Sequence, residues 1–292
     1  MSSVSNVTIA QALADFVAER QGIWAIKTYH NYRHTFKCFQ EFIDPWKPIA
    51  DMTRKDIIQF LNSPNIQRMA PRTQKKLIAL LRVFFEWCVD IHEPRLLEHN
   101  PARNVRVAGI QEREKPDFTP EQVLEIVDAH PQPFQDMVYI YVKTALRPGE
   151  LLEPKEHDGL WQPPRFNRES LRLHIPQSKT DVCRTVPIDG NHGGRLVETL
   201  LRHCNESMQI VFQGFNGDDL RVEFRNVKKR LRLPMWLHLH DLRKVGGQEH
   251  YDAGGDPLAT MNFLGHKRLQ TTMTYIRAKE ATVRQAVEAM RY

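Results

Sequence analysis

The sequence predicts a mainly α-helical protein with a small β-sheet confined to its second domain (α+β), and two domains in all. Three observations carry this. Apolar residues recur at three- and four-residue spacing through most of the chain. Two short segments, Leu171–Ile175 and Arg184–Ile188, alternate apolar and polar residues instead. The 292 residues also suit two domains better than one, at ~100–200 residues each.

The first domain is expected at 1–107 and reads as helices only. Thr8-x-x-Gln11 is a capping-box pattern ahead of Ile9, Leu13, Phe16 and Val17. A second helix should carry Tyr29, Tyr32, Phe36, Phe39 and Ile43, and Thr53-x-x-Asp56 opens a third with Ile57, Ile58 and Leu61. The fourth is the most periodic: Leu77, Leu80, Leu81, Phe84, Phe85 and Cys88 share one face. Its start, from Arg68 to Lys76, also holds Arg72, Thr73 and Lys75. A basic helix start over an apolar stripe fits a solvated helix end. It also fits a helix whose backbone N–H groups and basic side chains meet phosphates. Asn100-Pro101-Ala102 breaks the pattern, and the polar stretch Arg103–Pro116 reads as a linker.

The second domain, 108–292, opens with Thr119-Pro120-Glu121-Gln122, which places Thr at the N-cap, Pro at N1 and Gln at N3 of a helix. Helices are expected to about Ala145. Lys179-Thr180-Asp181 supplies turn residues between the two alternating segments, which makes them a hairpin. Helical patterns return from about Gly193. The tail places Val283, Ala286, Val287 and Met290 at helical spacing, which suits packing on its own domain or on a neighbouring copy.

Composition narrows the function classes. With 41% hydrophobic and 26% charged residues, wholesale disorder and fibrous repeats are excluded. Lys and Arg total 41 against 35 acidic residues. The excess lies in residues 1–110, which hold 15 basic and 10 acidic residues, a hint of a polyanionic partner. The four cysteines, Cys38, Cys88, Cys183 and Cys204, form no CxxC pair. That argues against a zinc ribbon or a disulfide framework and for a reducing compartment. Met1–Ala10 has no secretory pattern, and no run reaches ~18 apolar residues. A cytoplasmic protein without a membrane partner is expected.

Three segments of the second domain carry the chemistry: Thr144-Ala-Leu-Arg147-Pro-Gly-Glu150, His240-Asp-Leu-Arg243, and Leu264-Gly-His266 followed by Tyr275. Lys179 lies between the first two. Each piece alone reads as an ordinary structural feature. Taken in order, Arg147, Lys179, His240, Arg243, His266 and Tyr275 resemble the catalytic signature of the tyrosine recombinase (phage integrase) family. The resemblance spans most of the chain: the first domain is similar to that family's core-binding domain and the second to its catalytic domain. Two departures stand out. Lys244-Val245-Gly246-Gly247-Gln248 follows Arg243 where an aromatic-containing run is common, and its glycine pair is expected to loosen the helix. Ala145 replaces a commoner glycine.

The resemblance implies DNA strand cleavage and rejoining through a covalent 3′-phosphotyrosyl link. That link conserves the broken bond's energy, so neither ATP nor a metal or other cofactor is expected. Permanently charged guanidiniums suit the negative charge of the pentacoordinate phosphorus, which makes Arg147 and Arg243 the candidates. The family's roles then fall to Tyr275 as nucleophile, His240 as proton acceptor, His266 as a phosphate or orienting partner, and Lys179 as general acid toward the 5′ oxygen. Glu150, one helical turn from Arg147, would brace it. The implied partner is double-stranded DNA at a specific site, clamped between two domains. Arg68, Arg72, Thr73, Lys75 and Lys76 would contact it, and four copies would assemble, in part through the tail. The core-binding pattern begins almost at once, which suggests a compact Xer-like architecture. Two alternatives remain open at this point: a topoisomerase-like enzyme that nicks and reseals DNA, and a DNA-binding regulator without catalysis.

Overall fold

The computed structural model describes residues 7–109, 118–154, 161–176, 183–188, 193–277, 284 and 287–290. The chain divides into two compact units, Met1–Arg113 and Glu114–Tyr292.

The first unit is built from α1 (Ile9–Arg20), α2 (Ile26–Gln40), α3 (Arg54–Leu61), the single turn α4 (Pro64–Gln67) and α5 (Pro71–Asp90). The capping boxes expected at Thr8 and Thr53 both form. The unit packs around Phe16, whose ring meets Tyr32, Phe36, Phe84 and Trp87 edge-on at centroid distances of 5.4–5.8 Å. Arg20 lies over the same ring at 4.2 Å, and Trp87 Nε1 donates to Glu19 at 2.6 Å. Two expected core residues point elsewhere. Tyr29 and Ile58 are 36% and 40% exposed. Tyr32, Phe36 and Phe39 already cover the buried side of α2, and Ile57, Phe60 and Leu61 that of α3. Ile43 is buried but lies beyond the end of α2.

The second unit contains α6 (Pro120–Asp128), α7 (Phe134–Thr144), α8 (Pro148–Leu151), β1 (Arg165–Asn167), β2 (Arg172–Ile175), β3 (Arg184–Pro187), α9 (Gly193–Arg202), α10 (Gly217–Arg230), α11 (Leu239–Gly254), α12 (Pro257–Leu264) and α13 (Leu269–Met273). Thr119 caps α6 through the expected box. The strands form one antiparallel sheet in the order β1-β2-β3. Its register aligns Phe166, Leu173 and Val186 across one face, and all three are buried. β2 and β3 match the expected hairpin strands. β1 was not expected, because three residues with a single apolar side chain carry almost no alternation.

Helix α7 is the centre of this unit. Asp136 to Val142 are all buried, and α6, α9, α10 and α11 pack against it. The glycine pair of α11 explains the closest of these contacts. A Cβ on Gly246 would collide with the Val142 carbonyl oxygen, and one on Gly247 would sit 3.1 Å from Leu264 Cδ1. The pair does not loosen α11, which runs unbroken from Leu239 to Gly254. It lets α7 and the end of α12 approach the α11 backbone.

Candidate active site

The site forms where two chain reversals of the second unit meet the start of α11 and the end of α13. Helix α7 ends on Ala145 in the left-handed conformation, φ +48°. That reversal starts α8 with Arg147 at its N-cap, and the position explains why glycine is the easier residue there. His238 caps α11, and its backbone N–H donates to Asp241 at 2.8 Å, so His240 lies in the first turn and Arg243 one turn on. Helix α12 ends on Gly265, φ +63°, which turns the chain and places His266. A short helix, α13, then brings Tyr275 back: its N–H donates to the Thr272 carbonyl at 2.8 Å.

These elements bring Arg147, Glu150, His240, Arg243, His266 and Tyr275 together. His240 Nε2 lies 2.6 Å from Tyr275 Oη. The tyrosine ring stands edge-on to His266 at 4.8 Å between centroids, and His266 Nδ1 pairs with Thr272 Oγ1 at 2.9 Å. Arg147 is held by three bonds. Its Nη1 meets Glu150 Oε1 at 2.5 Å, its backbone N–H donates to Glu150 Oε2 at 2.8 Å, and its Nη2 donates to the Gly265 carbonyl at 3.0 Å. Arg243 is 0% exposed and donates to the carbonyls of Ala145 and Leu264. Lys179 lies outside the described residues.

Sequence reasoning missed Arg184, which assembles much of this. Its two Nη atoms pair with Glu150 at 3.1 and 2.9 Å, and its Nε donates to the Phe263 carbonyl at 3.1 Å. The signal was present: Arg184 shares the inward parity of Val186 on β3 and of Ile188 just beyond it, and an inward-facing cation needs a buried partner. Glu150 therefore faces three guanidiniums, with Arg243 Nη1 at 4.0 Å, and the cluster keeps a net positive charge.

This cluster sets the protonation states. Burial alone would raise the Glu150 carboxyl, but the hydrogen bonds and charge of Arg184, with the charge of Arg147, bring it down to about 2. Desolvation, then the charge of Arg243, lowers both His240 and His266 to about 4. His240 keeps a solvent-exposed edge. Both rings are neutral at pH 7. A neutral imidazole 2.6 Å from a phenol can take its proton, and the arginine cluster can stabilise an anion beside it.

In the first unit, Arg68, Arg72, Thr73, Lys75 and Lys76 are all exposed at α4 and the start of α5. Lys76 Nζ donates to Asn31 Oδ1 at 2.5 Å. Lys75 also lines a cleft of about 520 Å³ with Arg82, Arg103 and Arg106. The last two come from the stretch that reads as linker in the sequence.

The fold and this convergence define an integrase-type protein. The chain matches the profile of the phage integrase family over residues 116–282 and that of the phage integrase N-terminal SAM-like domain over 11–93. It is 24% identical to the tyrosine recombinase XerC of Oceanobacillus iheyensis over 281 residues, covering 89% of this chain and 88% of the relative. It is 25% identical to the integrase of Mycobacterium phage L5, covering 76% and 63% of the two chains. Among solved structures, a Tn1549 transposon integrase in complex with transposon right-end DNA aligns with a TM-score of 0.75 at 15% identity, over 97% of this chain and 99% of that one. A lambda integrase dimer bound to a core site aligns with a TM-score of 0.71 at 20% identity, over 92% and 77%. The chain belongs to the phage integrase family: it is a tyrosine recombinase, an enzyme of site-specific DNA recombination.

Proposed function

We propose that Tyr275 is the nucleophile of this recombinase and attacks a DNA phosphodiester from within its own chain. The observation that carries this is the 2.6 Å contact between Tyr275 Oη and His240 Nε2, made by a neutral histidine beside the arginine cluster. The phenolic oxygen bonds to phosphorus, its proton passes to His240 Nε2, and the bond from phosphorus to the 5′ oxygen breaks. Lys179 returns a proton to that oxygen. Rejoining reverses each step, which needs no ATP and no metal. For His240 to accept, its own proton sits on Nδ1. His266, with Nδ1 on the Thr272 hydroxyl, then offers Nε2–H to a nonbridging oxygen.

The guanidiniums divide the electrostatic work. The Arg147 side chain is 22% exposed and is the group a phosphate reaches first. Arg243 acts from beneath, and direct donation from it requires the Ala145 and Leu264 carbonyls to yield. Losing a charge-assisted donor of this kind costs about 2.7–4 kcal/mol in the barrier. Glu150 holds Arg147 in place.

The exposed basic residues Arg68, Arg72, Lys75 and Lys76, with Thr73, contact the DNA backbone. Assembly on DNA is tetrameric, a reading supported by the lambda integrase tetramer seen on a Holliday junction. The tail contributes through its apolar positions: Val287 and Met290 are 58% and 57% exposed, while Val283 and Ala286 lie outside the described residues. Action in the cytoplasm fits the absence, among the described residues, of a helix long and apolar enough to cross a membrane. The likeness to the integrase of Mycobacterium phage L5 supports a role in a mobile element.

A nicked suicide duplex carrying the cognate site tests the chemistry. A covalent protein–DNA adduct should appear on denaturing gels and vanish in Tyr275→Phe. An adduct that persists in this variant overturns the assignment.

A further inference from the structure

Helix α11 carries His240 and Arg243 in its first turns, and it also reaches the chain beyond Tyr275. Gln248 Nε2 donates to the Arg277 carbonyl at 3.0 Å and to Asp252 Oδ1 at 2.7 Å. Gln248 Oε1 accepts the Arg277 backbone N–H at 2.8 Å. The partners fix the orientation of the amide. Reversed, its NH2 would face an N–H and its oxygen would face a carbonyl and a carboxylate.

One side chain thus takes both backbone groups of a single residue, the pattern one strand offers another in an antiparallel ladder. The grip does not depend on the Arg277 side chain. Ile276, between the nucleophile and this clamp, is 3% exposed. On the upstream side, Tyr275 N–H donates to the Thr272 carbonyl and the Thr272 hydroxyl pairs with His266. The Tyr275 segment is held on both flanks. The downstream hold comes from the same helix that presents His240, eight residues earlier and about 12 Å along the axis at 1.5 Å per residue.

We propose that Gln248 is a positioning residue for strand cleavage: by clamping the Arg277 backbone it keeps Tyr275 seated against His240 of its own chain. This rests on Tyr275 being the nucleophile. Among the described residues, Gln248 touches none of the reacting groups. It is half-buried on the outer part of α11, where a side chain of equal length can replace it without opening the core.

The test uses Gln248→Met, which keeps length and helix propensity and deletes the amide. In single-turnover reactions with the suicide duplex, adduct formation should slow about ten- to a hundredfold, the cost of misplacing a reacting group by about 1 Å. DNA affinity and thermal midpoint should match the wild type. A duplex with sulfur at the 5′ bridging position supplies a leaving group that departs without a proton. It should not restore Gln248→Met, whose defect lies on the nucleophile side. Gln248→Glu keeps the acceptor but loses the donor until its carboxyl is protonated, so its deficit relative to wild type should narrow as pH falls from about 8 to about 6. Wild-type cleavage rates in Gln248→Met, restoration by sulfur, or a loss that tracks the thermal midpoint would each overturn the proposal. Failure of the nucleophile assignment reads differently: the Tyr275→Phe control would keep its adduct, or the wild type would give none.

Discussion

Phe16 stands at the centre of the first unit's core and Glu150 at the centre of the second unit's buried ion cluster, and their surroundings are opposite in chemistry. Around Phe16 of α1 lie aromatic rings from two further helices, α2 and α5. Around Glu150 lie three guanidiniums and the backbone carbonyls they bind. Glu150, Arg184 and Arg243 are 4%, 8% and 0% exposed. An aromatic core accumulates from many small contacts, and losing one leaves the rest. A buried ion cluster is costly to assemble and holds only while every member is paired. The second unit accepts that cost because the same charges that oppose burial make an anion site. Beside its apolar core, the second unit draws part of its stability and its chemistry from one set of side chains, whereas the first unit keeps its core apart from the exposed basic residues of α4 and α5.

Removing the carboxylate should show this most strongly. Glu150→Ala leaves Arg184 buried without its bidentate partner and frees Arg147 to leave the site. A loss of about 3–5 kcal/mol is expected from breaking a buried pair on one side. Phe16→Ala should cost a similar about 3–5 kcal/mol through the cavity it leaves. The two variants separate in location. Hydrogen exchange should report loss of protection in 114–292 for Glu150→Ala and in 1–113 for Phe16→Ala. Only Glu150→Ala should abolish adduct formation at temperatures where both proteins are still folded. A Glu150→Ala protein that stays folded and cleaves DNA would remove the distinction between the two cores.

Acid offers a milder version of the same contrast. In the folded second unit Glu150 titrates at about 2, against 4.5 for a free carboxyl. His240 and His266 titrate at about 4, against 6.5. Each pKa is depressed on folding, so the unfolded chain binds more protons in these windows and stability falls as pH drops. The histidine contribution is lost between about 6.5 and 4, and the carboxylate contribution between about 4.5 and 2. Among the described residues of the first unit, only Asp56 of the carboxylates is clearly lowered, despite desolvation, by hydrogen bonds from Thr53 and Lys47. Urea midpoints followed by exchange should therefore fall first in the second unit as pH drops from 7 to 4. Glu150 stays ionised and paired across this range, so the ion cluster remains assembled, unlike in Glu150→Ala. Adduct formation should fall over the same acid range, as protonated His240 can no longer take the Tyr275 proton.

The contrast between the units also explains what the sequence made legible. Thr8, Thr53 and Thr119 announced their helix starts because each cap is completed within three residues. The α5 stripe was equally plain, since one face of a long helix repeats its pattern often enough to average out exceptions. Ile58 and Tyr29 misled because periodicity gives the width of an apolar stripe but not its edge. In the second unit, the order and spacing of Arg147, His240, Arg243, His266 and Tyr275 pointed to a site through resemblance. Their convergence depends on backbone reversals at Ala145 and Gly265 that propensity cannot place. The glycine pair looked like a weakness in α11 because its reason, the Val142 carbonyl, lies more than 100 residues away in the chain. Arg184 was hidden for a related cause: a strand pattern records that a residue faces inward, not what awaits it there.

The smallest effect tests whether the reversal at Ala145 carries strain. An L-residue in the left-handed region costs about 1–2 kcal/mol, and Ala145 sits there at φ +48° with both Arg243 and Arg184 donating to its carbonyl. Ala145→Gly removes that penalty. It also adds about 0.5–1 kcal/mol of chain entropy to the unfolded state and deletes a buried methyl. The balance should be a gain of a few tenths to about 1 kcal/mol, read as a rise in the urea midpoint of the second unit with no change in the first. Adduct formation should keep its rate, because the carbonyl that both arginines use is unmoved. A lower midpoint would mean that the methyl's packing outweighs the strain. The charged core would then lean on apolar contact at its own hinge, and the two units would be less different than their centres suggest.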